Sequence, residues 1–470
     1  MSNANFAMVG LGVMGRNLAL NVADHGFKVA VWNLEEDVTK AFVAANPNCV
    51  GTSTLEELVA SLERPRRIMM MVTAGKAVDE VLKKLKPLLQ PGDIVIDGGN
   101  TYFEETQRRE AEMAAAGLNF VGMGVSGGEE GARRGPSLMP GGSTDAWKAL
   151  QPILEAISAK TESGPCVAHN GPDGAGHFVK MVHNGIEYGD MQLIAEVYDL
   201  MSRGLGLGAA ELSDTFARWN EGPLSSFLIE LTAGVLAKTD PESGKPLIDL
   251  VLDKAEQKGT GRWTAEVALK LGVPIPTMAA ALDGRGMSSL KTERVAAQPK
   301  IRGVVSPPPP TSEKAGIIAA AHDALLASKI CSYAQGMALI KAGSAQYKWN
   351  INLGEMARIW TGGCIIRARL LATIMTSYRR TPDLPNLLVD PDFEEMLFGL
   401  QPNWRRVGGL AQSLGIPMFA IADSLAYFDS YRMGRLPQNM TQAQRDAFGA
   451  HTYLRVDRPE AGPVHSEWLK

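Results

Sequence analysis

Cysteine is scarce in this chain: 4 of 470 residues, at Cys49, Cys166, Cys331 and Cys364, far apart and without a C-x-x-C pair. That excludes a disulfide-stapled secreted scaffold and makes a structural zinc site improbable, so the thiols are expected to be reduced, packed as small apolar groups, with no metal. No continuous apolar run reaches the roughly 18 residues of a membrane span. The first residues lack the basic segment of a signal peptide, so a cytoplasmic protein with no membrane association is expected. An excess of positive charge is also missing. The net charge is -4, which provides no global field for nucleic acid or anionic lipid, so cations for a polyanionic ligand must be local. What is present is ordinary globular composition, 45% hydrophobic and 21% charged, in a chain too long for one core.

Two halves differ in pattern. Short apolar runs at Phe6–Val9, Val29–Trp32, 67–72 and 93–96 alternate with helical spacing, as at 16–25, which predicts a parallel sheet with crossover helices over 1–175. From Gly176 the spacing turns helical, at 178–201, 313–342, 351–376 and 405–414, which predicts an all-helical domain over 176–435. The four prolines at 307–310 read as a surface loop. The remainder, 436–470, is polar and aromatic without an apolar stripe, so it must dock elsewhere as a tail or stay disordered. The expected fold is therefore a Rossmann-type α/β domain, a large all-α domain and an extended C-terminal tail.

Gly10-Leu11-Gly12-Val13-Met14-Gly15 matches G-x-G-x-x-G. With 49 glycines, roughly 0.5 chance matches are expected, so context decides. The motif follows an apolar strand and opens a helix, the setting in which a tight turn and a helix N-terminus receive a pyrophosphate. The second strand ends Trp32-Asn33-Leu34-Glu35-Glu36, with no arginine for a 2′-phosphate. Either Glu35, 20 residues after Gly15, or Asn33 could serve the ribose hydroxyls.

Lys180, His183, Asn184 and Glu187 fall at i, i+3, i+4 and i+7, on one helical face, with Val179, Val182, Ile186 and Leu193 on another. A solvated polar face is the commoner meaning of such a stripe. Its mixed chemistry argues for a site, as do Gly185 and Gly189 inside the helix, each about 1 kcal/mol worse than alanine there, which suggest a close approach.

The stretch 177–190, HFVKMVHNGIEYGD, resembles the signature of 6-phosphogluconate dehydrogenases. So do Asp97-Gly98-Gly99-Asn100, Gly124-Val125-Ser126-Gly127-Gly128-Glu129-Glu130-Gly131, QKGTGRWT at 257–264, GGCIIR at 362–367 and QAQRDAFGAHTY at 442–453, in order along nearly the whole chain. The resemblance implies oxidative decarboxylation of 6-phosphogluconate to ribulose 5-phosphate and CO2 with NAD(P), a step of the pentose phosphate pathway. It implies Lys180 as the base at the 3-hydroxyl and Glu187 as the acid that protonates the enediol. A free lysine has a pKa near about 10.4 and must be made neutral for this role. Asn100, Ser126, Gly127, Gly128, His183 and Asn184 would hold the carboxylate and hydroxyl end. Tyr188, Lys258, Thr260, Arg285, Arg445 and His451 would hold the phosphate.

The dinucleotide would lie on Gly10 to Gly15, Asn33, Leu34, Glu35, Val72, Thr73, Ala74 and Asn100. The tail would insert into a second subunit, so that Arg445 and His451 complete the partner's site in a homodimer. NADP is the family default. Relatives that use it commonly carry arginine at the position of Leu34 and lysine at that of Thr73, so NAD is expected to be used well here, and even preferred. Shorter hydroxyacid dehydrogenases, such as those for 3-hydroxyisobutyrate, lack the second helical half and the tail. A dinucleotide-binding sensor would not need Lys180 and Glu187 together.

Overall fold

In a computed structural model, residues 3–257, 259–303 and 306–470 are described. The predicted phosphate-end cation Lys258 lies outside them. The chain divides into two compact units, Met1–Ser424 and Leu425–Lys470.

The first unit opens with a seven-stranded sheet, β1 (Phe6–Val9), β2 (Val29–Trp32), β3 (Cys49–Gly51), β4 (Arg67–Met70), β5 (Ile94–Asp97), β6 (Asn119–Ser126) and β7 (Ser137–Pro140), in the order β3-β2-β1-β4-β5-β6-β7. The first six run parallel and β7 is antiparallel to β6. Phe6 and Met8 enter one apolar cluster and Ala7 and Val9 the other, so β1 is covered on both faces, which explains its unbroken apolar run. The chain leaves β1 toward β2 on one side and returns at β4 on the other. A crevice therefore opens at their carboxyl ends, where ligands bind in such sheets.

Three strands went beyond the four predicted from apolar runs. β3 is short, β7 is a four-residue antiparallel return reached through the helix Gly128–Arg134, and the apolar run of β6 is broken by Gly122 and Gly124. Glycine weakens a strand signal but marks close approach. A Cβ on Gly122 would strike Thr106 and the ring of His177, and one on Gly124 would strike the Lys180 side chain.

Apart from a two-stranded ribbon, Lys160–Thr161 with Gly164–Pro165, the rest of the first unit is mostly helical. Its axis is a 25-residue helix, Ala175–Asp199, continued by one π-helical stretch, Leu200–Gly204. Packed on it is the 34-residue helix Lys314–Tyr347. The latter is long and apolar enough to cross a membrane, but 67% of its apolar window is buried within the fold, as in a core helix.

The segment expected as one helix over 351–376 is two, Leu353–Ile359 and Leu370–Arg380. Between them Gly363 adopts φ +64°, and its carbonyl accepts the Ser137 amide of β7 at 2.8 Å. Helical spacing of apolar residues cannot register such a backbone docking.

The second unit is more ordered than a bare tail. It contains the helix Gln438–Gly449 and an antiparallel bridge between Tyr453 and Val464. Its centre is polar: the buried Asp446 carboxylate accepts the Thr452 and Ser466 amides, the His465 imidazole and the Trp468 indole. An organising carboxylate leaves no apolar period, so the sequence pattern shows no core.

Candidate active site

The glycine loop after β1 is shaped by backbone contact. Gly10 has φ +96°, and a Cβ there would lie 2.5 Å from the Met71 carbonyl; a Cβ on Gly15 would collide with the Gly10 carbonyl. Around a Cβ on Gly12 there is open space, and Gly12 caps the helix Val13–Asp24. Free amides at an open helix start are what a pyrophosphate needs. Val13 is exposed, and Leu11 and Gly15 are buried beneath the loop. Asn33 Oδ1 accepts the Leu11 amide at 2.8 Å, and Asn33 Nδ2 donates to Glu35 at 2.6 Å. The strand-end position is thus Asn33, with Glu35 tethered to it. Leu34 is 73% exposed. Lys40, the next cation in sequence, is tied to Glu36 at 3.0 Å. Thr73 is exposed in the 71–75 loop after β4, flanked by Val72 and Ala74.

Asn100 is exposed just beyond β5. Its loop is held by buried Asp97, which accepts the Gly99 amide at 3.0 Å and the Thr101 hydroxyl at 2.7 Å. Ser126 ends β6, and Gly127 and Gly128 follow with φ +112° and +62°. A Cβ on Gly127 would lie 2.5 Å from the Gly363 carbonyl.

The stripe on Ala175–Asp199 is not a solvated face. Lys180, His183 and Asn184 are 6%, 0% and 8% exposed, and the Glu187 side chain 22%. Gly124 leaves room for the lysine stem. Lys180 Nζ donates to Asn184 Oδ1 at 2.8 Å and lies 3.4 Å from His183 Nδ1. His183 Nε2 pairs with the Ser126 hydroxyl at 3.2 Å, and Asn184 Nδ2 donates to Thr260 Oγ1 at 3.1 Å. Glu187 stands one turn on, with a carboxyl oxygen 3.9 Å from His183 Nδ1. Next to it the Arg285 guanidinium lies over the Tyr188 ring at 3.5 Å, a cation–π contact.

Burial shifts the proton affinities of these groups. Desolvation pulls the Lys180 amine below its ordinary value, against the opposing pull of the Glu187 charge. Burial pushes the Glu187 carboxyl up, opposed by Lys180 and Arg285 and helped by Asp190. Burial, then the Lys180 charge, hold the His183 imidazole well down, so it is neutral. Both shifts on the outer pair run toward an uncharged amine and a protonated acid.

Residues Asn100, Ser126, Gly127, Gly128, Lys180, His183, Asn184, Glu187, Tyr188, Thr260 and Arg285 all lie in the first unit; Arg445 and His451 lie in the second, both exposed. The helix glycines signal a close approach, and the structure identifies what approaches. A Cβ on Gly185 would lie 2.6 Å from Thr264, and one on Gly189 2.6 Å from Ser332. Neighbouring helices therefore explain these glycines.

Three structural roles lie outside the sequence reading, although Asp97 and Gly124 stand within the motifs that carry the resemblance. Asp97, which shapes the Asn100 loop, could have been noticed as an acid ending an apolar strand. Gly124 could have been noticed as a strand-interior glycine. Lys329, a cation in the buried middle of an apolar helix, donates to Asp190 at 2.5 Å, with both side chains buried. The four cysteines are free and buried, and burial pushes the Cys364 thiol up to about 12, which leaves it unreactive at neutral pH.

Known proteins match the chain in two parts. Residues 5–171 match the family description "NAD binding domain of 6-phosphogluconate dehydrogenase", and residues 176–468 match "6-phosphogluconate dehydrogenase, C-terminal domain". The chain is 54% identical to a decarboxylating 6-phosphogluconate dehydrogenase of Synechococcus elongatus and 52% identical to an NADP(+)-dependent one of Bacillus subtilis, with 100% of both chains covered in each case. It superposes on a Plasmodium falciparum 6-phosphogluconate dehydrogenase, solved apo and with NADP+ or 6-phosphogluconate, with a TM-score of 0.94 at 42% identity, covering 99% of this chain and 100% of that one. The chain belongs to the 6-phosphogluconate dehydrogenase family.

Proposed function

We propose that this chain oxidises 6-phosphogluconate at C3 and decarboxylates it to ribulose 5-phosphate and CO2, in the pentose phosphate pathway, with NADP or NAD. The observation that carries the reading is the pair on one helix face, Lys180 buried and Glu187 largely so, with Lys180 driven toward the free amine and Glu187 toward the carboxylic acid. The glycine loop fits a dinucleotide, since its backbone has open space beside Gly12 and leaves none for larger residues at Gly10 and Gly15. When bound, the nicotinamide supplies the hydride acceptor for C3.

The chain's own groups handle the protons. Neutral Lys180 takes the 3-hydroxyl proton as the alcohol becomes a ketone. The resulting ammonium returns that proton to the C3 oxygen as the C1 carboxylate leaves as CO2 and the electron pair moves into an enediol. Glu187 then gives its proton to the enediol carbon while the again-neutral Lys180 takes the proton back from the C3 hydroxyl, which yields the ketose. Acid and base must be separate groups in reach of different atoms, and two helical turns, about 10 Å of rise, separate their backbones. Asn184, shared between Lys180 and Thr260, orients the amine. Asn100, Ser126, Gly127, Gly128, His183 and Asn184 hold the carboxylate and hydroxyls. Tyr188, Lys258, Thr260 and Arg285 hold the phosphate.

Arg445 and His451 complete that phosphate end from a partner subunit in a cytoplasmic homodimer. The second unit exposes Met440, Phe448, Leu454, Val456 and Leu469 at 62%, 75%, 62%, 91% and 91%. Such a density of bare apolar side chains on a small unit suits docking on protein.

NAD should serve well beside NADP. The ribose end presents exposed Leu34 and the acids Glu35, Glu36 and Asp37, which would repel a 2′-phosphate, and Thr73 adds no cation. The test compares kcat/KM for both dinucleotides in the wild type and in Leu34→Arg. The arginine should shift the ratio toward NADP by about tenfold, the worth of one charge-assisted pair. A wild type that already rejects NAD would overturn this part of the reading.

A further inference from the structure

We propose that Asp446 is a positioning residue that sets Arg445 and His451 as one preformed phosphate grip; the inference rests on their proposed role at the phosphate. Both oxygens of its carboxylate are spent inside the unit. Oδ1 accepts the Thr452 amide and His465 Nδ1, each at 2.9 Å, and Oδ2 accepts the Ser466 amide at 3.0 Å and Trp468 Nε1 at 2.8 Å. Its backbone carbonyl accepts the Ala450 amide at 2.9 Å.

These bonds converge on the backbone around His451. Ala450 and Thr452, the residues on either side of it, both adopt left-handed φ, +49° and +58°. Non-glycine residues seldom hold that conformation unless their surroundings impose it. Asp446 binds the amide of each flanking residue, one through its carbonyl and one through its carboxylate, and so clamps the kink that points His451 outward. The Phe448 ring stands edge-on to the imidazole at 5.8 Å.

The same clamp reaches Arg445. Gln442 Nε2 donates to the Thr452 carbonyl at 2.6 Å, while Gln442 Oε1 accepts Arg445 Nη1 at 3.0 Å. The arginine and the kink thus share one glutamine. A carboxylate next in sequence to a phosphate-binding arginine would ordinarily compete for it. Here four donors saturate Asp446 on the buried side, and among the described residues Arg445 makes no ion pair, so the guanidinium remains available to an anion.

The experiment uses the full-length enzyme and measures kcat, KM for 6-phosphogluconate, and inhibition by inorganic phosphate in Asp446→Asn, Gly449→Ala, Arg445→Ala and His451→Ala. A misaligned grip weakens ground-state and transition-state binding alike, so Asp446→Asn should raise KM about tenfold with kcat within about threefold, and the phosphate inhibition constant should rise in parallel. Gly449→Ala places a Cβ 2.7 Å from His451 Nε2. It should raise KM in the same way without touching Asp446, and it decides the matter if Asp446→Asn does not fold. A merely structural Asp446 would lower the amount or melting temperature of active enzyme and leave KM alone. Wild-type KM in Asp446→Asn, or in its substitute Gly449→Ala, beside raised KM in Arg445→Ala overturns the positioning role by itself. Wild-type KM in both Arg445→Ala and His451→Ala overturns the phosphate reading, and the positioning role falls with it.

Discussion

The helix face at Lys180 and the kink at His451 treat charge in opposite ways. On the first, an amine, an imidazole and an amide are enclosed, and enclosure moves their proton affinities. In the second, Arg445 and His451 are exposed, and the enclosed group is a carboxylate saturated by donors. The same ingredients serve different tasks. Proton transfer needs groups poised between two states, which desolvation provides. The anchoring of a dianion proposed for Arg445 and His451 calls instead for exposed, pre-oriented donors, which a rigid backbone provides.

That contrast breaks most visibly in turnover. Lys180→Ala should lower kcat by about a thousandfold or more, within the range for loss of a general base, with dinucleotide affinity retained in a binding titration. Truncation in the tail should act on KM instead. A Lys180→Ala enzyme with nearly normal kcat would erase the distinction between the two regions.

Glu187→Gln should lower kcat by about a hundredfold and also move the pH profile. The Glu187 charge raises the Lys180 affinity for protons. Its removal lets the amine lose its proton at lower pH, so the acid limb of kcat/KM should shift downward. An upward shift would contradict the coupling.

The smallest effect concerns stability. The folded Lys180 amine releases its proton below 10.5, while the unfolded amine holds it up to that value. The unfolded state therefore binds more protons in this window, and stability rises with pH there. Lys180→Met should be more stable than wild type at pH 7, by roughly 1 kcal/mol, with the gain shrinking toward pH 10 in urea unfolding. A gain independent of pH would mean that the amine is not desolvated.

The sequence made much of this legible, within limits set by physics. The dinucleotide loop is local, so Gly10 to Gly15 could be read in place. The stripe from Lys180 to Glu187 follows from helical spacing, but spacing says nothing of burial, which depends on β6 and the start of the helix Thr260–Leu271 that meet it. That helix and the helix Lys314–Tyr347 on the opposite face account for Gly185 and Gly189. The break at Gly363 depends on a carbonyl reaching β7, and the order of the last segment on one aspartate, neither of which leaves a periodic mark. Asp97 and Lys329 show as charges in apolar runs, but their partners become evident only in three dimensions.

The central claim is that burial, before any ligand arrives, makes Lys180 a base. The direct measurement is an NMR titration of the 15N-labelled lysine side chains in the ligand-free enzyme, with Lys180 assigned by its loss in Lys180→Met. The account predicts a Lys180 amine that titrates below the other lysines and below 10.5. A Lys180 signal that titrates with the surface lysines or above them would contradict it.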